Sequence, residues 1–181
     1  MAITIRNGKT VAIRLLKPGD EEVLYNYLQN LSMESRSRFG PHSFDQQTIH
    51  RICEQPDNDI QRFIATDESA SIIVSYMLIK QGMIEWDLQR YAQRNQFYEP
   101  ETTVTYAPSV ADYWQSTGLG TAMLNIIEKN LAGKGIRHIV LWGGVQASNT
   151  TAVNFYRKNG YRFIDSFWHD DKDNYDMVKD L

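Results

Sequence analysis

The segment Val110-Ala111-Asp112-Tyr113-Trp114-Gln115-Ser116-Thr117-Gly118-Leu119-Gly120 ends a strand-like run, breaks into a glycine turn and opens directly into a helical pattern. In that pattern Met123, Leu124, Ile127 and Leu131 form one apolar stripe. A strand, a glycine turn and a helix in this order place unpaired backbone N–H groups and a positive dipole end beside a chain that turns tightly. Such a junction attracts anionic oxygens and suits a phosphate ligand.

The remaining sequence reads as interleaved strands and helices, an α/β (α+β) pattern in one domain, 1–181. Asn7-Gly8 between alternating Ile3, Ile5 and Val11, Ile13, Leu15 predicts a hairpin closed by a type I′ turn. Pro18-Gly19-Asp20 predicts a turn with Asp20 as helix N-cap, and Leu24, Tyr27, Leu28 and Leu31 recur at helical spacing. Ile49, Ile52 and Cys53 mark a helix over 45–54. The aperiodic stretch 32–42, with Arg36, Arg38 and Phe39, reads as a loop or short helical turn. It is open to two roles, a substrate wall or a solvated connection anchored by Phe39.

Residues 62–66 and 71–79 read as paired strands around Asp67-Glu68-Ser69, and 102–110 as a further strand. Between them Ile84, Leu88 and Tyr91 predict a helix within 83–95 that could roof a site, pack, or meet a second copy. Gly133 is expected to cap the 120–132 helix, and 136–142 to form a buried strand. A short helix follows over 149–160. Residues 161–167 and 175–178 should then close a hairpin around a polar loop, 169–174.

Composition bounds the function. With 181 residues, 42% hydrophobic and 23% charged, the chain can bury one good core. A net charge of −3 supplies no global field toward nucleic acid or an anionic membrane. The single cysteine, Cys53, sits at an apolar helix position and reads as a buried thiol in a reducing compartment, so the expected location is cytoplasmic. Four scattered histidines give no metal-ligand spacing, so no metal is expected. Tryptophan and tyrosine numbers leave a homodimer open.

A second motif narrows the phosphate ligand. Asn149-Thr150-Thr151-Ala152-Val153-Asn154-Phe155-Tyr156-Arg157-Lys158-Asn159-Gly160 follows the glycine junction as a capped helix with one phenol near its end. Together the two segments resemble the GNAT superfamily of N-acetyltransferases, whose acetyl-CoA motif reads Gln/Arg-x-x-Gly-x-Gly/Ala and whose later helix reads Asn-x-x-Ala-x-x-x-Tyr-x-Lys-x-Gly. A dinucleotide fold would need glycine or alanine at Met123, and a P-loop would need Gly-Lys-Ser/Thr near Gly118.

The resemblance implies a mixed, mostly antiparallel sheet flanked by helices, with central strands that diverge to admit acetyl-CoA. It implies that Val110 sits at the divergence and that Gln115, Ser116, Thr117, Gly118, Leu119, Gly120 and Thr121 wrap the diphosphate. Asn149 would bind the pantetheine arm, with Ser148 able to cap the helix in its place. Tyr156 would be the general acid for the departing thiolate. A phenol of pKa about 10 giving its proton to a thiolate of about 8.5 costs roughly 2 kcal/mol, so it serves best as a hydrogen-bond donor unless its pKa is lowered. The acceptor would be a primary amine of a small molecule or peptide, which costs roughly 4 to 5 kcal/mol to neutralise at pH 7. Many family members carry a glutamate base ten residues before the Gln/Arg; here that position is Thr105. Glu101, on the same strand face if no bulge intervenes, is the candidate base, with Glu99, Glu85 or a water chain as alternatives. His138 and His169 read as structural. A non-catalytic acyl-CoA-binding module is the rival reading.

Overall fold

Strands and helices alternate through the computed structural model, which describes residues 1–55 and 57–181. In chain order they are β1 (Ala2–Thr4), β2 (Thr10–Leu15), α1 (Glu21–Asn30), α2 (Met33–Ser37), α3 (Gln46–Glu54), β3 (Ile60–Thr66), β4 (Ile73–Gln81) and α4 (Glu85–Ala92). There follow β5 (Thr103–Val110), α5 (Leu119–Ala132), β6 (His138–Leu141), β7 (Val145–Gln146), α6 (Thr150–Lys158), β8 (Arg162–His169) and β9 (Lys172–Asp180). The class is α/β, with mixed, mostly antiparallel strand pairing and flanking helices. These residues fall into two units, Met1–Ile79 with Ala107–Ile126, and Lys80–Tyr106 with Ile127–Leu181. Among the described residues no helix is long and apolar enough to cross a membrane.

In the first unit the strands run in the order β1-β2-β3-β4, with Ile3 opposite Val11 and Ile13 opposite Ala65. Alternation buries Val11 and Ile13, and the predicted helical stripes bury Leu24, Leu28, Ile49 and Ile52. The β1–β2 connection is not the expected type I′ turn. Only Gly8 has a positive φ, 81°, and Gly8 N donates to Ile5 O at 2.9 Å while Ile5 N donates to Lys9 O at 2.9 Å. This is a tight turn followed by a left-handed bulge glycine. Asn7 keeps φ negative and accepts from Lys9 N through its side chain at 3.1 Å.

Asp20 precedes α1 without capping it through its side chain. Its carboxylate is held by Arg14, Nη1 at 2.5 Å and Nη2 at 2.8 Å, because a bidentate charge-assisted pair outcompetes a neutral amide. Asp45 does cap α3, accepting from Thr48 N at 2.8 Å. Replacing Asp45 by alanine is expected to cost about 1 kcal/mol, seen as a lower denaturant midpoint at constant slope. An unmoved midpoint would deny the cap its role.

The second unit orders its strands β5-β6-β9-β7, with β8 also on β9. The β5–β6 pairing is parallel and the others are antiparallel. The closing hairpin is longer than expected, pairing as far as His169 with Lys172. In place of a polar loop stands a turn with Asp170 and Asp171 at φ 49° and 56°. Type I′ geometry therefore occurs here, on aspartates that tolerate the left-handed region. α5 ends on Gly135, φ 78°, rather than Gly133. Gly135 N donates to Ala132 O at 3.2 Å and Ile136 N to Leu131 O at 3.3 Å, the bond pair of a left-handed C-terminal cap.

α4 exists where its periodicity placed it and buries Tyr91 of the expected stripe, but not Leu88. Leu88 is 38% exposed, whereas Asp87, Arg90 and Tyr91 are buried. Arg90 donates to Asp176 from Nε and Nη2, both at 2.7 Å, and to Asp87 from Nη2 at 2.6 Å. Its guanidinium carbon lies 3.7 Å from the Phe167 ring centroid. An ion-paired face escapes a hydrophobic-periodicity reading because its buried residues are charged.

Candidate active site

β5 opens along one edge. Its parallel ladder to β6 runs from Thr103 with His138 to Tyr106 with Leu141, and Trp142 N donates to Tyr106 O at 3.0 Å as the last bond. β6 ends at Leu141 while β5 continues to Val110. The ladder thus ends at Tyr106, earlier than the Val110 position expected for the divergence. The other edge of β5 stays paired within the first unit, where Ala111 N donates to Val74 O at 3.0 Å and Ser75 Oγ to Ser109 O at 2.7 Å. Tyr27 Oη and Ser109 Oγ lie 2.7 Å apart, which ties α1 to this stretch.

Val110 leads through a short 3₁₀ turn, Asp112–Trp114, into the glycine junction. Ser116 and Gly118 take φ of 61° and 92°, so the loop turns twice through the left-handed region before α5 begins at Leu119. A serine there stores strain that a glycine does not. Thr117 Oγ1 donates to Trp114 O at 2.6 Å. Gln115 Nε2 points back toward Val110 O and Ser35 Oγ, both at 3.4 Å. Asp112 pins the loop to α2, accepting from Ser32 N at 2.9 Å, Ser32 Oγ at 2.8 Å and Ser35 Oγ at 2.5 Å. Leu119 is buried, Gly120 half-buried and Thr121 exposed in the first turn of α5.

The second unit carries the other expected residues. Asn149 caps α6 itself, accepting from Ala152 N at 3.1 Å through Oδ1, so the cap is not left to Ser148. Tyr156 is 6% exposed, and burial raises its phenol above the ordinary tyrosine value. It lies near enough to Tyr106, the last residue of the ladder, to raise that phenol in turn after burial has done so. No group hydrogen-bonds the Tyr156 hydroxyl among the described residues.

Glu101 is not on the strand face. Pro100 starts a 3₁₀ turn, Pro100–Thr102, that ends before β5, so Glu101 precedes the end of β5 opposite Tyr106. At roughly 3.3 Å per strand residue this puts it on the order of 10 Å or more from the last rung. Thr105, in the family's glutamate position, is fully buried and its hydroxyl donates to Gly82 O at 2.8 Å. His138 Nδ1 pairs with Asp180 Oδ1 at 2.8 Å, and the His169 ring lies 5.2 Å from that of Trp86. Burial pushes the Cys53 thiol up to about 11, which leaves it unreactive.

The family model described as Acetyltransferase (GNAT) family matches residues 28–161. The chain belongs to the GNAT family. Comparison with curated proteins finds no match. Among solved structures, the GNAT domain of S. lividans PAT is similar at TM-score 0.78 and 20% identity, covering 100% of this chain and 96% of that one. AAC(6′)-Ib in complex with paromomycin and acetyl-CoA is similar at 0.69 and 17% identity, covering 94% and 93%. The ribosomal-protein-S18-alanine N-acetyltransferase from Escherichia coli is similar at 0.63 and 17% identity, covering 94% of each chain. At these identities the likeness speaks for the GNAT fold. Sequence reading missed Asp112 as the anchor of the GNAT glycine loop. Its signal was available, since Ser32 and Ser35 in the spacing of a helix N-cap offer matched donors.

Proposed function

We propose that this GNAT protein is an acetyl-CoA-dependent N-acetyltransferase that moves the acetyl group directly to a primary amine of a small molecule or peptide. The observation that carries the reading is the end of the β5–β6 ladder at Tyr106, with β5 running on into the glycine junction. A free strand edge suits the pantetheine amides, which pair along it as an added strand would. The loop 115–121 and the first turn of α5 suit the diphosphate. Asn149 serves the pantetheine through Nδ2, its Oδ1 being committed to the cap. Tyr156 donates to the departing thiolate.

With Thr105 bonded to Gly82 and Glu101 at the other end of β5, water takes the proton of the amine in this reading. The buried Thr105 hydroxyl also favours a second reading, an acyl-CoA-binding module without turnover. A broad amine panel assayed for thiol release separates the two.

Calorimetric titration of acetyl-CoA into the wild type and a Gly120→Trp variant tests the donor site. Binding by the wild type and none by the still-folded variant is expected, since an indole in the first turn of α5 blocks the approach to its N–H groups. A wild type that does not bind overturns the proposal.

A further inference from the structure

Gly118 does more than turn the chain. A Cβ placed on it would lie 3.0 Å from Arg6 Cβ and 3.6 Å from Arg6 N, so the tip of the β1–β2 hairpin is seated directly on the glycine loop. From the same tip Lys9 reaches over the loop, its Nζ 4.5 Å from the Trp114 ring centroid. Both residues are exposed, and among the described residues neither is ion-paired. Arg14, Arg38, Arg62, Arg90, Arg94 and Arg162 each hold a carboxylate, whereas Arg6 and Lys9, like Arg36, Arg51, Arg137 and Arg157, hold none among the described residues. The acid nearest in sequence, Asp112, is occupied by the serines of α2. Trp114, 6% exposed, adds an indole N–H that has no acceptor among the described residues.

A chain of net charge −3 thus presents two unneutralised cations beside its glycine loop. We infer that Arg6 and Lys9 bind the diphosphate of the acyl-CoA donor, making the N-terminal hairpin part of the donor site. Arginine supplies paired N–H donors to phosphate oxygens, and lysine a point charge. This inference rests on the donor reading above.

The test is titration of acetyl-CoA, acetyl-dephospho-CoA and S-acetylpantetheine into the wild type, Arg6→Ala, Lys9→Ala and the double variant, at low and high salt. Each single change is expected to weaken acetyl-CoA and acetyl-dephospho-CoA alike by about 5- to 10-fold at low salt, with the difference shrinking at high salt. S-acetylpantetheine, which has no diphosphate, should be indifferent to both. Equal acetyl-CoA affinity in the wild type and the double variant overturns the inference while leaving the donor site standing. A loss confined to acetyl-CoA moves the contact to the 3′-phosphate and overturns the diphosphate assignment. Absence of wild-type binding is instead the failure of the donor reading. Both positions lie in an exposed hairpin, so unchanged melting temperatures are expected and distinguish lost binding from lost fold.

Discussion

Tyr156→Phe is expected to lower kcat by ~10²-fold or more while leaving the melting temperature within a degree or so. The ring itself is structural: it lies 5.3 Å from Phe155 and 5.1 Å from Tyr161, centroid to centroid, and phenylalanine keeps both contacts. The hydroxyl bonds no protein group among the described residues, so its removal leaves no orphaned partner. In the proposed role, what is lost is the donor to the departing thiolate. Burial raises this phenol, so it holds its proton more firmly than free tyrosine and works by hydrogen bonding before it works by transfer.

The sign of the pH dependence follows. A raised phenol stays protonated through and beyond pH ~10, so the wild-type rate has no falling limb from Tyr156 there. With water as the base, the rate instead climbs as more of the amine loses its proton. Stopped assays of thiol release from pH 6 to 10 read both features. Retention of activity within about twofold in the phenylalanine variant would remove Tyr156 from its role, and a falling limb near pH 9 that disappears in that variant would mean the phenol is lowered and acts by transfer.

Arg90→Met is the substitution expected to damage stability most, by about 3 to 5 kcal/mol. Asp87 and Asp176 are fully buried on either side of a guanidinium that is itself 6% exposed. Taking away the cation leaves two carboxylates in a medium that solvates neither. Asp87 already lies above the usual carboxylate range, because burial outweighs its bonds from Gly143 N and Arg90. At this chain length the loss amounts to a fall of about 10 °C or more in melting temperature. The methionine fills the volume against Phe167, so a large effect reports charge and not a cavity. Replacing Arg90, Asp87 and Asp176 together by apolar residues should recover much of the loss. A single variant within about 2 °C of wild type would show that the triad contributes little.

Gly143 connects this triad to the end of the β5–β6 ladder. Asp87 Oδ2 accepts from Gly143 N at 3.0 Å, directly after the residue whose N–H makes the last bond of the β5–β6 ladder. The helix 85–92 is therefore anchored to the turn that follows β6. Its tie runs through charge, which explains why the stripe Ile84, Leu88, Tyr91 named the right element but missed Asp87 and Arg90 on its buried face.

The readings that succeeded rest on local information. The α5 stripe, the Asn149 cap and the glycine turn at Gly118 are written in a few consecutive residues, since helical period and turn geometry constrain side-chain type at the position itself. The failures share a different cause. Asn7-Gly8 and Asp170-Asp171 exchanged turn types because strand register and twist choose the turn that joins them. Arg14 withdrew Asp20 from its helix end, and Pro100 took Glu101 off its strand, each through a neighbour that outcompeted the local preference.

By itself the sequence determined which segments are helix or strand and that a glycine turn at Gly118 leads into α5, because backbone sterics and periodicity act over one or two turns. Only the tertiary structure decided that the parallel ladder stops at Tyr106, that Thr105 spends its hydroxyl on Gly82, and that Arg6 lies against Gly118. Each of these joins residues distant in the chain, where pairing is set by packing and charge compensation across the fold and leaves no periodic mark on either partner.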